Sequence, residues 1–275
     1  MTSREVRTKL LSTIGLVACL FLAETATNVS FAQAAPAAPL TADEVVQKMV
    51  AGNARRAGDL ERYRGTRSYH LEYEGLSSKS ATLVVAMTYH SPNEKNFCIV
   101  SETGSEFLQG RVLKRLLEAE LDATRDEQRH ETAMSPENYE FRLVGDEKTP
   151  DGEFYVLEVT PRTKNKFLFR GRIWVEGQDF AVARMEGEPA RNPSWWTKRN
   201  VIHMTYEKIG EFWLPARSET NTQVRIVGHS VLTIVYGDYE IQNAASGSMQ
   251  LASASAAGDA LACPAEPAKL SATEP

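Results

Sequence analysis

The amino-acid sequence predicts an α+β fold: a single curved antiparallel sheet of about ten strands, covered by two main helices. Three observations carry this expectation. Strand-patterned runs follow one another with short turns between them, which implies antiparallel meanders. Helical spacing recurs at length in only two stretches, 41–58 and 106–129. The alternation of strand and helix needed for a doubly wound parallel sheet is absent.

The elements follow in order. Thr41, with Glu44 three residues on, forms a capping box that starts the first helix. Val45, Val46, Met49 and Val50 give it an apolar stripe, Gly52 weakens its middle, and it should end near Gly58. Tyr69, Leu71 and Tyr73 then alternate with His70, Glu72 and Glu74, as a half-buried strand does. Two further strands are expected over 83–87 and 97–100, with Gly75 and Pro92-Asn93 in the turns. In the second helix Leu113, Leu117 and Leu121 fall four apart, with Leu108, Val112 and Leu116 as a second row, and 122–131 is almost wholly charged. Such a stripe is a core-facing surface. Strands are expected again over 141–144, 154–159, 167–175, 180–185, 201–209, 212–220 and 224–239, the last long enough to bend at Gly228.

The stretch 153–188 says most about purpose. It reads as three strands, and each has large apolar side chains on both faces, with Trp174 between Ile173 and Val175 just before an acidic hairpin. A sheet with one wet face should alternate apolar with polar. Here both faces want cover, so the sheet is sandwiched or curled around something apolar. That is the pattern of a binding scaffold.

Composition bounds the rest. The chain has 275 residues, and 1–34 reads as a secretory signal: Arg4, Arg7 and Lys9, a short apolar run over 10–22, and the small-x-small site Ala32-Gln33-Ala34. The alternative is a lipobox, Leu16-Val17-Ala18-Cys19, with Cys19 lipidated; the apolar Leu20-Phe21-Leu22 after it argues for soluble export to the periplasm. Residues 1–34 hold three of the 31 basic and two of the 36 acidic residues, leaving 28 against 34, a formal charge of −6. No basic block stands out, so nucleic acid is not an expected partner. Cys98 and Cys263 can pair in an oxidising compartment, but the reading preferred is a buried Cys98 thiol and a free Cys263. An Ala-Pro linker opens the mature chain, the single folded domain spans 35–241, and 242–275 is an Ala/Ser-rich tail expected to be disordered.

No reacting constellation emerges. His70, His90, His130, His203 and His229 lack metal-ligand spacing, and His130-Glu131 has no second histidine three residues later. A nucleophile elbow and a phosphate-cradling glycine loop are both missing. The expectation is therefore no enzyme, no metal and no cofactor. The residues expected to line an apolar binding cavity are Phe167, Phe169, Trp174, Met204 and Tyr206, with Trp195 and Trp196 either closing its mouth or tucked on the sheet edge.

Two segments, FYVLEVTPR over 154–162 and RIWVEGQDFAVARMEGE over 172–188, resemble strands of the LolA/LolB-like lipoprotein-carrier superfamily. The matches are Tyr155, Leu157 and Pro161, then Ile173, Trp174, Val175 and Glu176, where Asp is usual. The opening helix and Phe212-Trp213-Leu214-Pro215 fit the same layout, which is also similar to the sensor domain of the RseB type. The resemblance implies an unclosed half-barrel capped by helices, with a cavity for a lipid, acyl chain or lipoprotein and no covalent catalysis. A monomer is expected, with membrane-associated envelope proteins as further partners. A non-transporting sensor on the same fold is the second reading, and an enzyme the third.

Overall fold

The structure, a computed structural model, describes residues 39–123, 130–165, 167–192, 197–225, 228–243 and 249–251. The chain divides into a unit Met1–Pro39, almost all of it outside the described residues, and a unit Leu40–Pro275, whose fold is the one seen here. The signal, Cys19, residues 35–38 of the Ala-Pro linker 35–40, Trp195, Trp196 and Cys263 lie outside the described residues, as does most of the tail.

Helix α1, Ala42–Asp59, begins with the expected capping box: Thr41 Oγ1 accepts from the Glu44 N–H at 3.3 Å, while the Glu44 carboxylate accepts from the Thr41 N–H at 2.8 Å. Strands β1 (Leu60–Glu74), β2 (Lys79–His90) and β3 (Glu94–Gly104) follow. A helix over 106–123, here α2, comes next. It comprises Glu106–Leu108, a π turn Gln109–Leu113, and Lys114–Ala123. The chain returns as β4 (Tyr139–Thr149), β5 (Gly152–Pro161), β6 (Phe169–Glu176), β7 (Val182–Pro189), β8 (Thr197–Ile209), β9 (Phe212–Val224), β10 (His229–Asn243) and the short β11 (Met249–Leu251).

All pairings are antiparallel in the order β3-β2-β1-β10-β9-β8-β7-β6-β5-β4, with β11 beside β10 off that path. The sheet is not closed: β3 and β4 are its two edges. The fold is thus an α+β unclosed half-barrel. The connection from β3 to β4 must pass from one edge to the other, and α2 lies on that route, which is why a helix interrupts the strands there.

Two cores share one face of the sheet. Val45, Val46 and Met49 of α1 pack on Tyr139, Leu157, Val159, Phe169, Ile173 and Val175. Leu108, Leu113 and Leu117 of α2 pack on Tyr69, Leu71, Leu83, Val85 and Met87, with Ile234 and Ile241. The π turn alters the expected leucine rows. Its extra residue brings Leu108 into line with Leu113 and Leu117, all buried, and turns Val112 outward.

Three strand expectations change. The stretch 224–239 is no continuous strand: β9 ends at Val224, and Gly228 (φ +106) sits in the hairpin turn, its carbonyl accepting from the Val224 N–H at 3.0 Å. A Cβ on Gly228 would stand 2.3 Å from the Glu74 carbonyl oxygen, so the turn needs glycine for space as well as for φ. Phe180 (φ +50) lies in the β6–β7 turn, and β6 starts at Phe169, leaving Phe167 before it. Gly52 interrupts nothing; it lets the Asp179 carbonyl approach α1, where a Cβ would lie 3.2 Å from that oxygen.

Replacing Leu117 with Ala should cost about 2–5 kcal/mol in urea denaturation. Val112→Ala should cost about 0.5 kcal/mol or less. Equal losses at the two positions would contradict the placement of the π turn.

Candidate functional site

The two helices leave the middle of the sheet poorly covered. Along β8 only Thr197 and Ile209, its terminal residues, are buried. The inward ladder Leu157–Ile173–Met185–Met204–Ser218 runs from covered strands into this open middle, where Met204 is half-buried. Two hollows result.

The central hollow, about 320 Å³, lies between the C-terminal end of α1 and β7–β9, with Ala57, Val182, Met185, Tyr206, Phe212 and Leu214 among its walls. Tyr206 donates its hydroxyl to Met185 Sδ at 3.2 Å, and burial pushes that hydroxyl's pKa up to about 12. The rim is set by the acidic β6–β7 turn. Glu176 accepts from the N–H groups of Gln178 and Asp179, which fixes the turn. Asp179 then joins three elements: its carbonyl accepts from Arg56 of α1 at 2.9 Å, and its carboxylate accepts from Trp213 Nε1 at 2.8 Å and meets Lys208 Nζ at 2.6 Å. Burial works to raise the Asp179 pKa, but Lys208, Trp213 and Arg56 together hold it below the ordinary value.

The second hollow is larger, about 500 Å³, and lies at the N-terminal end of α2. Leu71 and Tyr73 form its floor, Leu108 and Val112 one side, Val224 another, and Leu76 and Phe107 its rim. Leu76 is 92% exposed and Phe107 61%. The Lys79 ammonium lies 5.6 Å from the Phe107 ring centroid and is the one charged side chain on this lining among the described residues.

Ion pairs fasten the rest of α2. Glu120 takes Arg67 of β1 at 2.5 Å and Lys95 of β3 at 3.0 Å, and Lys114 meets Glu102 at 2.9 Å. Arg67 is 5% exposed and lies between the Phe97 and Tyr236 rings, 5.3 and 5.0 Å from their centroids. Burial would raise the Glu120 pKa, but the two cations outweigh it and hold the carboxyl low.

The structure disperses the residues expected from sequence to share one cavity. Phe169 is buried in the α1 core, 6.2 Å from the Tyr139 ring. Phe167 is half-buried, its N–H donating to Asn165 Oδ1. Trp174 points to the opposite, convex face. Tyr206 lines the central hollow, and Met204 stands two residues before it on β8. Trp195 and Trp196 lie outside the described residues. Sequence reasoning passed over Arg67, Glu120 and Asp179. Arg67 carried a signal, because it continues the Tyr69, Leu71, Tyr73 alternation two residues back and so puts a charge in an apolar row. Phe107 and Leu76 carried none, since exposure of an apolar residue cannot be read from its type.

Among the described residues no group of three or more His, Cys, Asp or Glu could hold a metal ion. His70, His203 and His229 each face a glutamate, Glu72, Glu186 and Glu74, on the sheet surface. The preference for a free Cys98 is corrected: Cys98 is buried and disulfide-bonded. No helix among the described residues is long and apolar enough to cross a membrane.

No protein-family model matches the chain, and no curated protein matches it. Several solved structures align with it over most of their length. A LolA superfamily protein from Nitrosomonas europaea is 11% identical, covering 74% of this chain and 94% of its own, at a TM-score of 0.35. A DUF1329 family protein from Desulfovibrio piger is 9% identical over 76% and 96%, at 0.37. MucB in complex with MucA from Pseudomonas aeruginosa is 12% identical over 70% and 93%, at 0.26. Overlaps this loose assign no ligand and no activity to this chain.

The lowered Glu120 pKa gives a stability that is present above about 4.5, the ordinary value, and lost as pH falls through the folded value. Glu120→Gln should cost about 3 kcal/mol at neutral pH, because it leaves Arg67 buried without a counter-charge. It should also flatten the acid limb of the stability–pH curve measured by urea denaturation. An acid limb as steep as that of the unaltered protein would remove Glu120 from this role.

Proposed function

We propose that this chain is an exported cell-envelope protein that holds the apolar part of an amphiphile, an acyl chain or a lipoprotein, in the hollow at the N-terminal end of α2. On this reading residues 1–34 are the cleaved signal, 35–241 the half-barrel and 242–275 a tail whose first part joins the sheet, 242–243 in β10 and 249–251 as β11. The observation that carries it is the roughly 500 Å³ apolar hollow whose rim residues, Leu76 and Phe107, stand exposed to water. Single exposed apolar residues are ordinary, but a contiguous apolar rim around a concave floor marks a binding surface. Each methylene moved from water into such a hollow contributes about 0.8 kcal/mol. Four buried methylenes then supply about 3 kcal/mol, roughly two orders of magnitude in affinity. Among the described residues the lining carries no acidic side chain, which suits the burial of an acyl chain. The half-barrel layout and the segment resemblance over 154–188 support the same reading. The central hollow is smaller, and Arg56 on its lining is tied to the Asp179 carbonyl.

The test is saturable binding of a fluorescent fatty acid such as cis-parinaric acid. Phe107→Asp, at an exposed position, should leave folding intact by circular dichroism and weaken binding roughly tenfold or more, the loss of about 1.5 kcal/mol or greater. An unchanged affinity in a folded Phe107→Asp variant would move the ligand elsewhere. Absence of probe binding by the unaltered chain would end the proposal.

A further inference from the structure

The convex face of the sheet carries a hollow that amphiphile binding does not use. Its base is the outward ladder Val156–Trp174–Arg184–Thr205, one residue out of phase with the ladder under α1. Trp174 is 7% exposed, and its Nε1–H donates to Glu147 Oε2 at 2.7 Å. The Arg184 guanidinium stacks over the same ring at 3.7 Å and donates Nη2–H to the same carboxylate at 3.3 Å. Beside this stack lies a space of about 380 Å³ walled by Phe154, Trp174 and Trp213 and edged by Asp151, Glu207 and Lys208.

Charge accounting decides what this space would accept. Both cations at the hollow are already matched, Arg184 by Glu147 and Lys208 by Asp179. Asp151 and Glu207 make no ion pair among the described residues, so the uncompensated charge is negative. The Phe154 and Trp213 rings add π systems that attract a cation within about 6 Å, while the Trp174 face is already taken by Arg184. Arg184 on Trp174 is an instance of that attraction already made within the chain. An incoming anion would meet two unpaired carboxylates and, among the described residues, no cation without a counter-charge. The volume falls in the ordinary range of small-molecule pockets, about 300–1,000 Å³.

We propose that this convex-face hollow is a second binding site, selective for a small organic cation: an ammonium or guanidinium carried on a flat or short apolar body. The apolar body lies against Phe154 and Trp213, and the charge faces Asp151 and Glu207. The site stands on different residues from the hollow under α2 and does not depend on that proposal.

Benzamidinium tests it, with neutral benzamide and anionic benzoate as near-isosteric controls. Titrated into the full chain, benzamidinium should shift the Trp174 indole N–H resonance saturably and bind about tenfold tighter than benzamide, while benzoate should not bind. Asp151→Asn and Glu207→Gln lie at exposed positions and should leave the fold intact, each weakening benzamidinium about threefold. Phe107→Asp should leave this binding unchanged, so the two proposals fail separately. Equal binding of benzamide, binding of benzoate, or indifference to both carboxylate substitutions would overturn the inference.

Discussion

The structure depends on a mismatch between the width of the sheet and the cover available for it. Ten strands spaced about 4.8 Å apart would span about 43 Å if laid flat. Two helices, each about 10 Å across, shield only part of one face. Curling shortens the concave side but does not close it, because β3 and β4 remain unpaired edges. The helices therefore settle where the apolar side chains are densest, α1 over β4–β7 and α2 over β1–β3 with β10. The inner side of β8 is left between them. The central hollow follows from this geometry rather than from any one side chain, and the second opens where the first turn of α2 stands off β1.

Polar anchoring keeps those hollows from collapsing. Apolar contact alone would draw α2 down until the space beneath it filled. Instead Glu120 and Lys114 fix its later turns at defined places on β1 and β3, while its first turn carries Phe107 outward. At the other side Asp179 holds α1, the β6–β7 turn and the β8–β9 hairpin together through three distinct donors. Arg67 is the most costly of these anchors. It is buried, its Nε makes no hydrogen bond, and its charge is met by Glu120 and two aromatic rings. A buried pair of this kind fixes position more surely than it adds stability.

Much of the fold was legible in the sequence because it rests on local periodicity. The capping box at Thr41, the apolar stripe of α1, and the strand alternation of Tyr69, Leu71 and Tyr73 each name their element directly. The paired apolar faces of 154–188 also proved informative: Ile173 and Val175 lie under α1, and Trp174 is covered from the other side by Arg184 and Glu147. What could not be read is what depends on register between distant strands. The Trp174–Arg184 ladder, the Arg67–Glu120 pair across 53 residues, and the emergence of Phe107 beside Leu76 all arise from tertiary pairing. The π turn in α2 has the same origin, since packing on β1 and β2 realigned Leu108 against a plain four-residue spacing. Residues expected to line one cavity were chosen by type, whereas the half-barrel sorts them by face.

The central claim is that the uncovered apolar surface beside α2 is occupied in use by an acyl chain. Native mass spectrometry of the full chain, purified from cell envelopes without detergent, addresses it most directly. The account predicts a folded monomer carrying a lipid adduct that collisional activation releases, and no adduct on the Phe107→Asp variant. A bare mass for the unaltered protein, or an adduct equally retained by the variant, would contradict it.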